Sequence, residues 1–168
     1  IPNEFELDLS PRKAIYVPHG QSVPLVYSID MDNCIRCYQC VKACGERDAI
    51  DFAMESTTSE VDVGTIIVAT GAGDFDPSVV TEYGFGRYPN VLTMMEMERL
   101  ANSAGPTVGL LVRPSDGLVP RSVGFIQCVG SRDKRYNEYC SGFCCMYSIK
   151  NALLLKQMNH DLDITLFY

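Results

Sequence analysis

Tryptophan is absent from the 168 residues, and histidine occurs only twice, as His19 and His160. Neither His is close in sequence to a cysteine, which gives no support to a Cys/His zinc finger. Basic residues are in deficit: 14 Lys and Arg face 21 Asp and Glu, for a formal charge of −7. With no long basic run, this balance argues against a nucleic-acid footprint. No apolar run approaches the roughly 18 residues that cross a bilayer, so no membrane span is expected. The opening residues IPNEFELDLS carry no positive n-region followed by an apolar h-region, so no signal peptide is visible. An initiator Met is also missing, and the chain reads as processed or as a piece of something longer. The glycine fingerprint of a dinucleotide site is lacking too. Gly71-Ala-Gly73 has no third glycine, and Gly84-Phe-Gly86 runs on to Pro89 and reads as a plain turn. No His beside a thiol and no carboxylate pair is spaced for acid–base or nucleophilic work, so the chain is not expected to be catalytic alone.

Against these absences stand eight cysteines in two tight groups. Cys34, Cys37, Cys40 and Cys44 form the first, and Cys128, Cys140, Cys144 and Cys145 the second, with none in residues 45–127. A secreted disulfide scaffold spreads its cysteines, because each bridge ties distant segments. Two clusters of four thiols read better as metal sites in a reducing compartment, so a cytoplasmic location is expected. Hydrophobic residues make up 46% and charged residues 21%, a composition that folds. The length suits one ordinary domain or two small ones.

Residues 1–33 are rich in turn signals, with short alternating stretches at Ala14–Val17 and Pro24–Ile29 that predict edge strands. Ala49-Ile-Asp-Phe52 predicts another short strand. Residues 46–82 hold nine acids and one base, Arg47, and read as a solvated face. Val61–Gly71 predicts a buried strand ending in a small-residue turn, and residues 72–92 read as a loop. Thr93-Met-Met-Glu96 is a capping box and Gly105-Pro106 a stop, which predicts a helix over about 94–104 with Met94, Met97 and Ala101 as a core stripe. A strand at Val108–Val112 and a turn at Pro114-Ser-Asp-Gly117 follow. The end of the chain predicts a strand at Val123–Val129, a polar loop, a helix from Ser141 to about Asn159 with Ser141 as N-cap, and a strand at Asp163–Tyr168. That unit, about 45 residues long, suffices for a parallel βαβ crossover.

Cys34-x-x-Cys37-x-x-Cys40-x-x-x-Cys44 is the bacterial ferredoxin spacing. A cubane cluster needs thiolates on several corners, and a short wrapping loop presents them at intervals of three. A structural zinc is more often met by two separated Cys-x-x-Cys pairs. A thioredoxin-type pair leaves Cys40 and Cys44 unexplained. The run departs from the usual pattern in having Gly45, not Pro, after the fourth Cys. Cys34, Cys37 and Cys40 are therefore the firmer ligands; Cys44 closes the same cluster or reaches another. The second group matches no standard spacing, and buried structural thiols remain an alternative reading. Its position argues for a site. Cys128 sits at the carboxyl end of a predicted strand and the other three at the start of a predicted helix, where doubly wound sheets bind ligands. The helix amino end, with its partial positive charge and free N–H groups, would stabilise thiolates there. Arg132, Lys134 and Arg135 add positive charge, or form a solvated loop.

Phe125-Ile-Gln-Cys-Val-Gly-Ser-Arg-Asp133 followed by Tyr139-Cys-Ser-x-x-Cys-Cys-Met-Tyr-Ser-x-Lys150 resembles the A-subunit family of heterodisulfide reductases, relatives of which include the quinone-interacting oxidoreductase subunit of sulfate reducers. Pro2-Asn-Glu-Phe5, Arg12-Lys-Ala-Ile-Tyr16, Thr65–Gly71 and Arg113-Pro-Ser-Asp-Gly117 also resemble it, so the similarity runs along nearly the whole chain. The resemblance implies an α/β fold: a small ferredoxin-like α+β cluster segment (residues 1–60), a partial thioredoxin-reductase-like flavin segment (61–122), and a Rossmann-like βαβ unit (123–168). It implies 4Fe–4S clusters, two of them on this chain, and FAD, whose site here would be incomplete. It implies that Cys128, Cys140, Cys144 and Cys145 hold an unusual cluster, and that Ala69-Thr70-Gly71 approaches the flavin. It also implies electron transfer within a larger complex, in some members by bifurcation. The chain lacks the family's amino-terminal glycine-rich FAD loop and first ferredoxin run, and stops within the second Rossmann-like half. It therefore reads as an internal segment or a split-gene product, with other subunits or the remaining segments as its partners. The alternative is a zinc- or thiol-stabilised docking module without a redox role.

Overall fold

The computed structural model describes residues 1–71 and 73–168. It is a mixture of helices and short sheets, as an α/β class requires. The chain divides into two units, one of Ile1 with Arg12–Gly73 and one of Pro2–Pro11 with Asp74–Tyr168.

In the first unit, β1 (Ile15–Tyr16) pairs antiparallel with β2 (Ser28–Ile29), within the two stretches that the alternation marks. The Arg12 guanidinium ties this hairpin to Asp30 at 3.0 Å and lies 4.1 Å from the centre of the Tyr16 ring. A short helix, α1 (Gln39–Cys44), follows and runs on into a 3-10 turn at Gly45–Arg47. No described residue of this unit is buried. A unit of this size with no buried residue among those described does not offset its conformational entropy by internal packing.

The second unit has the core. Here α2 (Met94–Ala101) starts at the expected capping box: Thr93 Oγ1 accepts the Glu96 N–H at 3.2 Å, and Glu96 Oε2 accepts the Thr93 N–H at 2.6 Å. Strand β3 (Ser122–Ile126) pairs in parallel with β4 (Asp163–Phe167), Ser122 opposite Asp163 and Ile126 opposite Phe167. Helix α3 (Cys144–Met158) connects them. Met97, Phe125, Leu155 and Leu162 form the buried cluster, with Met94, Ala101, Val123 and Ile164 packed against it. The Met94, Met97 and Ala101 stripe is thus core, as its spacing implies. Residues Pro2–Pro11 are clamped to α2 by Arg99, which makes a bidentate pair with the Glu6 carboxylate at 2.7–3.0 Å and lies over the Phe5 ring.

Several expected elements do not form. Val61–Gly71 is not a strand. The described residues offer it no partner strand, and Ile66, Ile67 and Val68 are exposed; an apolar run is not stable as a strand without neighbours. Ala49–Phe52 is not a strand because its backbone bonds locally, Ala49 N–H to Cys44 Sγ and Ala53 N–H to Asp51 Oδ1. Val108–Val112 is not a strand: turns take up its start, with Val108 N–H on Gly105 O and Leu110 N–H on Thr107 O. Helix α2 stops at Ala101, short of Gly105-Pro106, because Asn102 Oδ1 accepts the Ala104 N–H and turns the chain out. The last helix begins at Cys144, not Ser141, and its N-cap residue is Phe143.

Candidate metal centres

The first centre is set on a loop that bends by backbone conformation. Arg36 and Tyr38 take left-handed φ values of 52° and 55° between the cysteines. Such residues cost free energy unless the surroundings hold them. Cys34 and Cys37 precede α1, while Cys40 and Cys44 lie on it one turn apart, on one face of the helix. The Ala49 N–H donates to Cys44 Sγ at 3.2 Å. Tyr38 and Phe52 meet edge to face at 5.4 Å and brace the loop against the chain that follows it. Gly45 has φ 58°, ψ −136°. A proline ring, locked near −65°, cannot take that φ, which accounts for the departure from the ferredoxin pattern at this position.

The second centre joins the end of β3 to the start of α3. Cys128 lies just past β3 with φ 57°, Cys140 is exposed in the loop, and Cys144 and Cys145 are the first two residues of α3. Residues 128–142 are cross-braced like a hairpin. Arg132 N–H donates to Tyr139 O at 3.0 Å, Asp133 N–H to Asn137 O at 3.0 Å, and Asn137 Nδ2 to Gly130 O at 2.8 Å. Ser131 Oγ donates to Tyr139 O at 2.8 Å and accepts the Ser141 N–H at 3.0 Å. These bonds return Cys140 toward Cys128.

Electrostatics link the four thiols. Cys144 is held below the usual thiol pKa, first by a hydrogen bond from the Ser141 hydroxyl, with help from the Cys128 N–H, against the opposing effect of burial. Cys145 is pushed up, first by the negative charge of Cys144, then by burial, with Cys128 and Cys140 adding to it. Cys145 therefore feels the charge of the other three sulfurs. Four thiolates in one field repel and are satisfied together only by a positive group among them. The Gly142 N–H donates to Cys140 Sγ at 3.4 Å, and Arg132 Nη1 stands 3.9 Å from Cys128 Sγ.

All eight cysteines are free thiols. Among the described residues, no three His, Cys, Asp or Glu side chains converge on the point of a single ion. An all-sulfur donor set, with N–H groups turned to sulfur in both centres, fits an iron–sulfur cluster, whose ligation is by Cys thiolates. Neither histidine contributes: His19 is in a turn closed by Ser22, and His160 follows α3, about 22 Å of helix from Cys144.

Ala69, Thr70 and Gly71 end the unpaired segment and are exposed. No described residue closes over them, so by themselves they do not fit a flavin. The neighbouring Gly71-Ala72-Gly73 motif includes Ala72, which lies outside the described residues. Ser141 and Gly142 are contributors that spacing did not reveal. The Cys140-Ser-Gly sequence contains them, but only the folded loop turns a hydroxyl and an N–H onto sulfur.

No family model matches the chain. Curated relatives match it from end to end. It is 53% identical over 169 residues to the iron-sulfur A-subunit of the CoB–CoM heterodisulfide reductase of Methanocaldococcus jannaschii, covering 100% of this chain and 26% of that protein. It is 48% identical to the A-subunit of the H(2):CoB-CoM heterodisulfide,ferredoxin reductase of Methanothermobacter thermautotrophicus, again over 100% of this chain and 26% of the relative. It is also 48% identical to the A-subunit of the ferredoxin/F(420)H(2)-dependent CoB-CoM heterodisulfide reductase of Methanosarcina acetivorans, covering 100% of this chain and 21% of that protein. The chain thus spans about a quarter of the length of these relatives.

Proposed function

From the premise that the chain belongs, as a segment, to the A-subunit family of heterodisulfide reductases, we propose that it is an iron–sulfur electron-transfer module of a larger flavoprotein redox complex. In this reading, residues 1–60 are the ferredoxin-like segment, 61–122 part of a flavin domain, and 123–168 a Rossmann-like unit. Cys34, Cys37, Cys40 and Cys44 hold one 4Fe–4S cluster, and Cys128, Cys140, Cys144 and Cys145 a second. Such clusters supply reversible one-electron transfer, with potentials set by burial, charge and hydrogen bonds to sulfur. The chain's own part is to present thiolates and direct N–H groups at them. Ala69-Thr70-Gly71 contributes one strip of a flavin cradle that other protein completes.

The observation that carries the reading is the second centre. Four thiols of one short stretch share a braced loop and a helix amino end, Cys145 feels the charge of the other three, and relatives are named for iron–sulfur. Partnership has its own support. Ile35, Ile66, Ile67 and Val68 in the first unit and Leu153 in the second are all more than half exposed, apolar side chains available to a partner. No helix among the described residues is long and apolar enough to cross a membrane.

The test is iron, acid-labile sulfide and zinc per chain after anaerobic purification. About eight irons with equal sulfide are expected for two cubanes. Cys34→Ser and Cys140→Ser should each lower a different half of the signal. Zinc without sulfide would overturn the redox reading in favour of a docking module.

A further inference from the structure

Three cations lie in the loop that carries Cys128 and Cys140, and the structure gives two of them different partners. Arg135 is committed to carboxylates: its Nη2 meets Glu82 Oε1 at 2.9 Å and Asp133 Oδ2 at 2.8 Å. Arg132 instead directs Nη1 at Cys128 Sγ, at 3.9 Å. Its backbone is fixed in the orientation this requires. It holds φ 57° while its N–H bonds Tyr139 O, and the same bracing network seats Cys140. With Asp133 bound to Arg135, the adjacent carboxylate does not draw Arg132 away from sulfur.

Resting on the reading of these four thiols as cluster ligands, we infer that Arg132 tunes the second centre, its guanidinium raising the reduction potential of the cluster held by Cys128, Cys140, Cys144 and Cys145. The physical basis is charge. Reduction adds one electron to a thiolate-ligated group, breaks no bond, and makes the ligand sulfurs more negative. A cationic N–H donor on one of those sulfurs therefore stabilises the reduced form more than the oxidised form. Arg132 touches the ligand sulfur and acts through it, so it is a positioning residue.

The experiment is a dithionite potentiometric titration of the anaerobically purified full chain, followed by electron paramagnetic resonance, with iron counted in every sample. Arg132→Gln should lower the potential so that, at a fixed potential, the reduced-to-oxidised ratio falls three- to tenfold; tenfold is 59 mV for one electron. Arg132→Lys should fall less, because it keeps the charge but loses the planar fork. Lys134→Gln, a neutralised cation in the same loop, should change the ratio less than twofold. A loaded cluster whose ratio moves less than twofold in Arg132→Gln would overturn the inference. So would an equal shift in Lys134→Gln, which would assign the effect to net charge. Iron loss in both Arg132 variants would make the residue one of assembly and also overturn it. If Cys140→Ser leaves iron and spectrum unchanged in the parent chain, the cluster reading itself fails, and the role of Arg132 fails with it. A loaded cluster with an unmoved potential overturns only the role of Arg132.

Discussion

Replacing Gly130 with Ala tests how the second centre is built. Gly130 is buried at φ 69°, two residues past Cys128, and a Cβ there would overlap the Phe75 ring. That ring cannot easily retreat, because it packs edge to face against Tyr136 at 5.3 Å and the Tyr136 hydroxyl donates to Val79 O. The left-handed backbone costs an alanine roughly 1–2 kcal/mol. The overlap adds about 1–3 kcal/mol, as overpacking does. Gly142 supplies the control. Its φ is 82°, but a Cβ there meets nothing within 4 Å, so Gly142→Ala should cost only the backbone share. Urea unfolding of anaerobic protein should therefore place Gly130→Ala about 1–3 kcal/mol below Gly142→Ala. Adding Phe75→Ala to Gly130→Ala should recover part of the loss, a favourable coupling in a double-mutant cycle. Because Gly130 O also anchors Asn137, the strained variant should lose second-centre iron while the first centre keeps its own. Equal stabilities for the two glycine variants, or no coupling with Phe75, would refute the packing argument.

Other outcomes follow from the same structure. Removing metal should unfold the first unit before the second, because Arg12–Gly73 has no buried residue among those described; hydrogen exchange should show early loss of protection at α1 and late loss at β3 and α3. Arg99→Ala should destabilise the second unit by about 2–4 kcal/mol, since it leaves the Glu6 carboxylate, only 12% exposed, without its bidentate partner. Glu6→Gln should cost less, and an effect below 0.5 kcal/mol for Arg99→Ala, on the order of a surface change, would count against the clamp. Asp133 and Glu82 titrate below their ordinary ranges. The Arg135 hydrogen bond is the first cause for Asp133; for Glu82 a backbone hydrogen bond comes first and Arg135 second. Their contribution to loop order is therefore present above about pH 4 and is lost as pH falls through the lowered folded values. Carboxyl-carbon NMR of the metal-free chain should show the Asp133 midpoint rise toward about 3.9 in Arg135→Gln.

What was legible in the sequence was local. The Thr93–Glu96 capping box and the Pro114–Gly117 turn are each written in a few neighbouring residues, because their physics is short-range. Asp116 and Gly117 N–H groups do close on Arg113 O, as that turn requires. The β3, α3 and β4 order was also legible, from apolar runs long enough to show their period. Pairing was not. Val61–Gly71 has the composition of a strand, yet a strand exists only where another chain segment accepts its hydrogen bonds, and composition does not say whether one is present. The start of α3 was misplaced for a related reason. Ser141 has the chemistry of an N-cap, but its hydroxyl is drawn to the Cys144 sulfur and its N–H to Ser131, and the helix begins three residues later. Tertiary structure alone decided that Arg135 serves carboxylates while Arg132 faces a thiol. Two like cations three residues apart are equivalent in sequence, and only the path of the backbone between Cys128 and Cys140 gives each its partner.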